Sequence, residues 1–133
     1  MKNKKASISG LMSIMFSERR FIEVFRETSR KIICSSLGES AGEAVLFFLR
    51  EALKCDPFEV LWEDPRAVYY EMMRVLGEGA KVLINLLVTN INRERGLNMS
   101  PDHFLELMRN GDQRSVEELR LFLRKMAEVH GEA

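Results

Sequence analysis

The stretch that decides the fold is GEGAKVLINLLVTNINRERG, residues 77–96. Its apolar residues recur at intervals of three and four, at Ala80, Leu83, Ile84, Leu87, Val88 and Ile91. That spacing is typical of one face of an α-helix, whereas a strand would alternate. Gly77 ends the preceding helix and Gly96 closes this one, because glycine readily adopts the left-handed conformation of a helix end. The stretch predicts a helix over 79–94, the most apolar of the chain, and we place it at the centre of the fold.

Helix starts elsewhere in the chain are marked by proline. Asp56-Pro57, Asp64-Pro65 and Ser100-Pro101 each combine a side-chain cap with a first helical residue that has no N–H to satisfy. Ser115 and Glu118 predict a capping box for the last helix. The predicted helices are 18–35, 39–53, a short turn from Pro57 to Trp62, 65–76, 79–94, 101–109 and 115–129. No segment alternates like a strand, so the fold class is all-α: a single compact bundle of five to seven helices without a sheet.

Length and composition fit one domain. The chain has 133 residues, of which 46% are hydrophobic, and this is enough to bury a core. We assign 17–133 to a single helical domain. Residues 1–16 form a mobile or partner-docking N-terminal segment, because only a weak helical stripe lies there. That stripe consists of Ile8, Leu11, Met12 and Met15.

Apolar runs and cysteines lead us to expect a cytoplasmic protein. No apolar run is long enough to span a membrane, and no signal peptide follows the basic residues 2–5. Cys34 and Cys55 are not in a CxxC pair, and we expect two small buried residues in a reducing compartment.

Candidate chemistry is sparse, and the sequence predicts no enzyme and no catalytic, metal-binding or cofactor-binding residue. The two histidines, His103 and His130, lack ligand spacing, and we interpret His103 as a surface or capping residue. Ser35, Ser36 and Ser40 lie at a helix junction without a neighbouring base, which favours capping over nucleophilic catalysis. Gly77-Glu78-Gly79 indicates a tight junction between helices rather than a phosphate site, because Glu78 would repel an anion.

An apolar surplus gives the main functional hypothesis. Helices 39–53 and 79–94 are apolar around more than half of their circumference, and two such helices exceed the interior of a small bundle. The eight methionines favour the same hypothesis, because methionine adapts to exchangeable interfaces. Five of them lie in apolar stripes of the chain, namely Met12, Met15, Met72, Met73 and Met108. Ordinary core packing explains the pattern equally well. If the surplus is exposed, a symmetric homodimer is its commonest partner.

Two alternatives remain open. The helix pair 101–129 could imitate the helix-turn-helix of a DNA-binding regulator, with a basic side formed by Arg109, Arg114, Arg120, Arg124 and Lys125. The net charge of zero, a long turn over 110–114 and the acidic Glu117 and Glu118 weigh against it. A small-ligand binder is the other alternative. It would need a deep pocket between the helices that gathers Trp62, Arg66, Tyr69 and Tyr70.

The central part, 28–97, resembles a small archaeal all-helical domain family of unknown function, related to output-like domains of archaeal signalling proteins. The resemblance is carried by Leu37-Gly38-Glu39-Ser40, the apolar block 44–49, Asp64-Pro65 and Leu76-Gly77-Glu78-Gly79-Ala80. It implies a helical fold and a regulatory context, and it brings no catalytic residues. We therefore predict a non-enzymatic protein-interaction or signalling module that acts as a homodimer. A further protein partner is compatible with this prediction, nucleic acid is the less favoured partner, and we expect no membrane partner.

Overall fold

The computed structural model describes the backbone of residues 3–132 and the side chains of residues 17–128. Within these residues the chain forms seven α-helices and no strand. They are α1 (Asn3–Leu37), α2 (Glu39–Leu53), α3 (Pro57–Glu63), α4 (Pro65–Leu76), α5 (Gly79–Arg95), α6 (Pro101–Asn110) and α7 (Gln113–Glu132). The predicted all-α fold is confirmed, and the helix count lies within the predicted range.

The three cap-and-proline starts are formed as predicted. Asp56 accepts a hydrogen bond from the N–H of Phe58 at 3.0 Å, and Asp64 accepts one from Ala67 at 3.3 Å. The Ser100 hydroxyl accepts one from the N–H of His103 at 3.2 Å. Each cap satisfies a backbone donor that the first turn would otherwise leave unpaired.

The start of α7 differs from the prediction. The N–H of Ser115 donates to the Asp112 carboxylate at 2.8 Å, so Asp112 caps the helix and Ser115 lies inside its first turn. Hydrogen bonds from the backbone and the hydroxyl of Ser115 lower the pKa of Asp112 below its ordinary value. The predicted capping box with Glu118 is therefore wrong. An aspartate three residues earlier does the same capping and leaves only Gly111 and Asp112 between α6 and α7.

Helix α1 begins well before the predicted start at Ser17 and Glu18. Its backbone is helical from Asn3, through Gly10 and the serines that weaken the pattern. A helix tolerates such residues at a cost of about 1 kcal/mol or less each. The prediction of a mobile or partner-docking segment over 1–16 concerns side chains that lie outside the described residues.

The core lies between α1, α5, α6 and α7 on one side and α2, α3 and α4 on the other. Helix α6 packs against α4, α5 and α7, and α1 packs against α2, α3, α5 and α7. The largest fully buried side chains include Phe25, Trp62, Met72, Phe104, Met108, Leu119, Leu123 and Met126. The rings of Phe104 and Phe122 meet edge to face, with centroids 5.8 Å apart. Met72 and Met108 therefore serve the core.

Helix α5 packs against α1, α4, α6 and α7. All six residues of its predicted stripe are buried. Its other face carries the exposed residues Lys81, Val82, Asn85 and Thr89. One face of the helix therefore lies in the core, and the opposite face meets water. None of the described helices is long and apolar enough to cross a membrane.

Candidate interaction surface

Helix α2 is held against the bundle by one narrow face. Leu46 and Leu49 are buried in the core, and Gly42 is buried against α1. A Cβ atom built on Gly42 would lie 2.8 Å from Cys34 Sγ and 3.0 Å from its Cα. The two helices therefore approach closely only because residue 42 has no side chain. The Gly38 junction that precedes α2 has φ of 94°, a conformation that favours glycine.

The outward side of α2 carries four exposed apolar residues beside the polar Ser40 and Glu51. Phe47 and Phe48 are 57% and 55% exposed, and their rings meet edge to face with centroids 5.8 Å apart. Ala44 and Ala41 lie exposed on the same helix, one and two turns before the phenylalanines. We call Ala41, Ala44, Phe47 and Phe48 the α2 apolar face. Two neighbouring exposed phenylalanines form an apolar patch of the kind found at interaction sites.

Charged side chains differ between the two ends of α2. Glu39 is exposed in the first turn, while Arg50, Glu51 and Lys54 are exposed in and after the last turn. Glu43 is paired with Arg30 of α1 at 2.8 Å. The N-terminal end of the helix is therefore acidic, and the two basic residues outweigh Glu51 at the C-terminal end.

A groove of about 210 Å³ runs beside the α2 apolar face, between α1, α2 and the start of α3. Phe47 lines it together with Phe58, while Arg30 and Arg50 stand at its rim. Arg26 closes one end through a hydrogen bond from Nε to Asp56 at 2.7 Å. Aromatic and arginine side chains are the residue types that protein interfaces favour, so the groove extends the same surface.

The serines near this junction do not have the predicted capping role. The N-cap position of α2 is Gly38, and no side chain caps it. Ser35 and Ser36 lie in the last turn of α1, and Ser40 lies inside the first turn of α2. The left-handed glycine, rather than a serine, makes the turn between the helices.

The cysteines are both free, and only one of them is partly buried as predicted. Cys34 is half-buried with Sγ 3.9 Å from the Glu43 carboxylate, and Cys55 is exposed. Burial, followed by the negative charge of Glu43, raises the pKa of the Cys34 thiol. Cys55 is exposed because the chain leaves α2 through Lys54, a left-handed residue, and turns away from the core.

A second cleft, of about 350 Å³, lies between α4, α5 and α6. Its charged lining includes Lys81, Asp102, His103, Glu106 and Arg109. His103 Nε2 lies 2.6 Å from a Glu118 oxygen on α7, and its Nδ1 lies 3.6 Å from Glu106. The hydrogen bond with Glu118 is the main cause that raises the pKa of His103. The part-exposed His103 confirms the surface interpretation, and its ring ties α6 to α7.

The four residues named for a ligand pocket do not all converge: Trp62 lies apart from the other three, while the rings of Tyr69 and Tyr70 meet with centroids 5.3 Å apart. Trp62 is buried beneath the guanidinium groups of Arg120 and Arg124, at 5.2 Å and 5.7 Å from the ring centroid. Arg66 instead covers the exposed Tyr70. Among the described residues, no group of histidine, cysteine and carboxylate side chains could hold a metal ion.

The basic side proposed for α6 and α7 is divided. Arg120 donates to the backbone carbonyl of Trp62 at 2.9 Å, and Arg124 stacks on the same indole, so both are engaged within the fold. Arg109, Arg114 and Lys125 remain exposed. The turn between α6 and α7 is shorter than predicted, because α7 begins at Gln113 rather than near Ser115.

The chain matches no protein-family model, and neither a curated protein nor a solved structure is significantly similar to it. Its function is therefore argued from its own surface.

Proposed function

We propose that this protein is a non-enzymatic interaction module that acts as a homodimer, with the α2 apolar face as its interface. One observation carries the proposal: Phe47 and Phe48 are each more than half exposed on a helix whose opposite side is anchored in the core. Burying one phenylalanine side chain contributes roughly 1.5–3 kcal/mol, so water disfavours leaving two of them uncovered.

The small residues beside the phenylalanines support a helix as the covering element. Ala41 and Ala44 are exposed and leave room for the side chains of a second helix. The second copy of α2 offers a matching set of small and large residues, because a symmetric dimer uses the same patch on both subunits.

A regulatory context is proposed on different grounds. The resemblance to archaeal signalling output domains is carried partly by residues 37–40, which join α1 to α2, and by residues 44–49 within α2. A cytoplasmic location is supported by the free thiols of Cys34 and Cys55.

The test is light scattering of the full chain at several concentrations. We expect a concentration-dependent dimer for the unaltered protein and a monomer for Phe48→Glu, because a buried, unpaired carboxylate opposes association. The matched control is Val82→Glu, which places the same charge at the isolated apolar residue of α5, 67% exposed. Circular dichroism verifies that both variants fold.

Two results would overturn the proposal. The first is that the unaltered protein stays monomeric at the highest concentration tested. The other is a loss of the dimer in Val82→Glu equal to that in Phe48→Glu, since α5 would then be part of the interface.

A further inference from the structure

We infer that the two copies pair through α2 in antiparallel orientation, with Glu39 of each copy beside Lys54 of the other. The inference rests on the proposed homodimer. It adds the relative orientation of the two α2 helices, the position of the two-fold axis along them and the ion pairs between them.

The charge order along α2 selects the orientation. Glu39 lies at the acidic end, and Arg50 and Lys54 outweigh Glu51 at the other end, which carries a net positive charge. Antiparallel pairing places each acidic end against a basic end, whereas parallel pairing places like charges together. The helix dipoles add to the same preference, because they too align favourably when antiparallel.

The position of the charges around α2 gives a second argument. At about 100° per residue, Glu39, Glu43 and Arg50 fall within about 40° of one another, on one flank of the α2 apolar face, and Lys54 follows the last helical residue. In an antiparallel pair with two-fold symmetry, each flank meets the same flank of the other copy. In a parallel pair it would meet the opposite flank, which carries Ala41. Only the antiparallel arrangement brings the charged flanks together.

The position of the two-fold axis along α2 follows from residues of the same helix. The midpoint between Glu39 and Lys54 lies between Leu46 and Phe47, and the midpoint between Ala44 and Phe48 is Leu46. A two-fold axis at this level therefore sets Ala44 of one copy opposite Phe48 of the other. A small residue thus faces a large one, which allows the helices to approach closely.

A charge swap tests the ion pairs. Within one chain Glu39 and Lys54 are 15 residues apart, or about 22 Å along the helix, so they cannot pair with each other. We expect Glu39→Lys and Lys54→Glu each to weaken the dimer by about fivefold, as two symmetry-related surface pairs are lost. The double variant should regain most of the affinity. If the dimer affinity of the double variant fell by the product of the two single-variant losses, the proposed ion pairs would be overturned.

Cysteine cross-linking tests the orientation in a background of Cys34→Ala and Cys55→Ser. Ser40 and Glu51 are exposed and nearly equidistant from the proposed axis, on opposite sides of it. Under mild oxidation, a mixture of Ser40→Cys and Glu51→Cys should form a disulfide between the two variants. Each variant alone should form little disulfide-linked dimer.

The outcomes separate the two proposals. Cross-links within each single variant, with no preference for the mixture, would indicate parallel pairing and overturn this inference while the dimer stands. A monomer by light scattering before oxidation would overturn the proposed function itself.

Discussion

Helices α2 and α5 both carry broad apolar stripes, and the rest of the fold covers the two stripes to different extents. On α5 the stripe from Ala80 to Ile91 is buried, and Val82 is the large apolar residue left in water. On α2 the buried face is short, and two adjacent phenylalanines remain exposed.

The difference follows from the neighbours of each helix. α5 packs against α1, α4, α6 and α7, whereas α2 packs against α1, α3 and α4. Helix α3 spans only Pro57–Glu63 and covers little of α2. The apolar residues of α5 are therefore buried because four helices pack against it. On α2, where fewer helices pack, some of the apolar residues stay exposed.

The largest expected effect comes from shortening a side chain on the buried face of α5. Ile91→Ala on α5 should lower the free energy of unfolding by about 2–5 kcal/mol, because Ile91 is 1% exposed and its loss leaves a cavity. Phe48→Ala on α2 should lower it by about 1 kcal/mol or less at protein concentrations where the chain is monomeric. Urea denaturation at low protein concentration measures both. Equal losses would contradict the assignment of Phe48 to a surface role.

The second prediction concerns the core-facing side of α2, which we expect to be as tightly packed as that of α5. Gly42→Ala should destabilise the protein by about 1–3 kcal/mol despite the better helix propensity of alanine, because its Cβ meets the Cys34 backbone. Gly79→Ala at the start of α5 is the matched control. Its Cβ finds only Leu76 Cβ at 3.7 Å, so stability should stay the same or rise. Thermal unfolding compares them, and a neutral Gly42→Ala would show that α2 packs loosely on both sides.

The smallest effect separates folding from association. The pKa of His103 is raised by Glu118, so this contact stabilises the fold fully below the unfolded value of about 6.5. The contribution is lost as pH rises through the higher folded pKa. Asp102, Glu106, Lys81 and Arg109 share the cleft, so salt should reduce the effect.

Melting temperatures between pH 5.5 and 8.5 measure this loss, with His103→Gln as the variant that should lack it. The dimer affinity should not follow the same curve, because His103 lies on α6 and the proposed interface lies on α2. A parallel change in both would link the cleft to the interface.

The candidate surface was only partly predictable. The sequence indicated an apolar surplus on both helices and could not say which helix would leave it exposed. Phe47 and Phe48 sit beside Leu46 and Leu49 in a continuous apolar run, and only the packing of Leu46 and Leu49 turns the phenylalanines outward. The sequence also had no signal for the His103–Glu118 contact, since these residues are on different helices.

By itself, the sequence determined the helices and most of their boundaries. Capping by Asp56, Asp64 and Ser100 acts within three residues, and the left-handed turns at Gly96 and Gly111 are equally local. Tertiary structure decided which face of α5 stays exposed and that α2 is covered on one side only. Those outcomes depend on which helices meet across the core, and the free energy of that packing is shared among residues far apart in the chain.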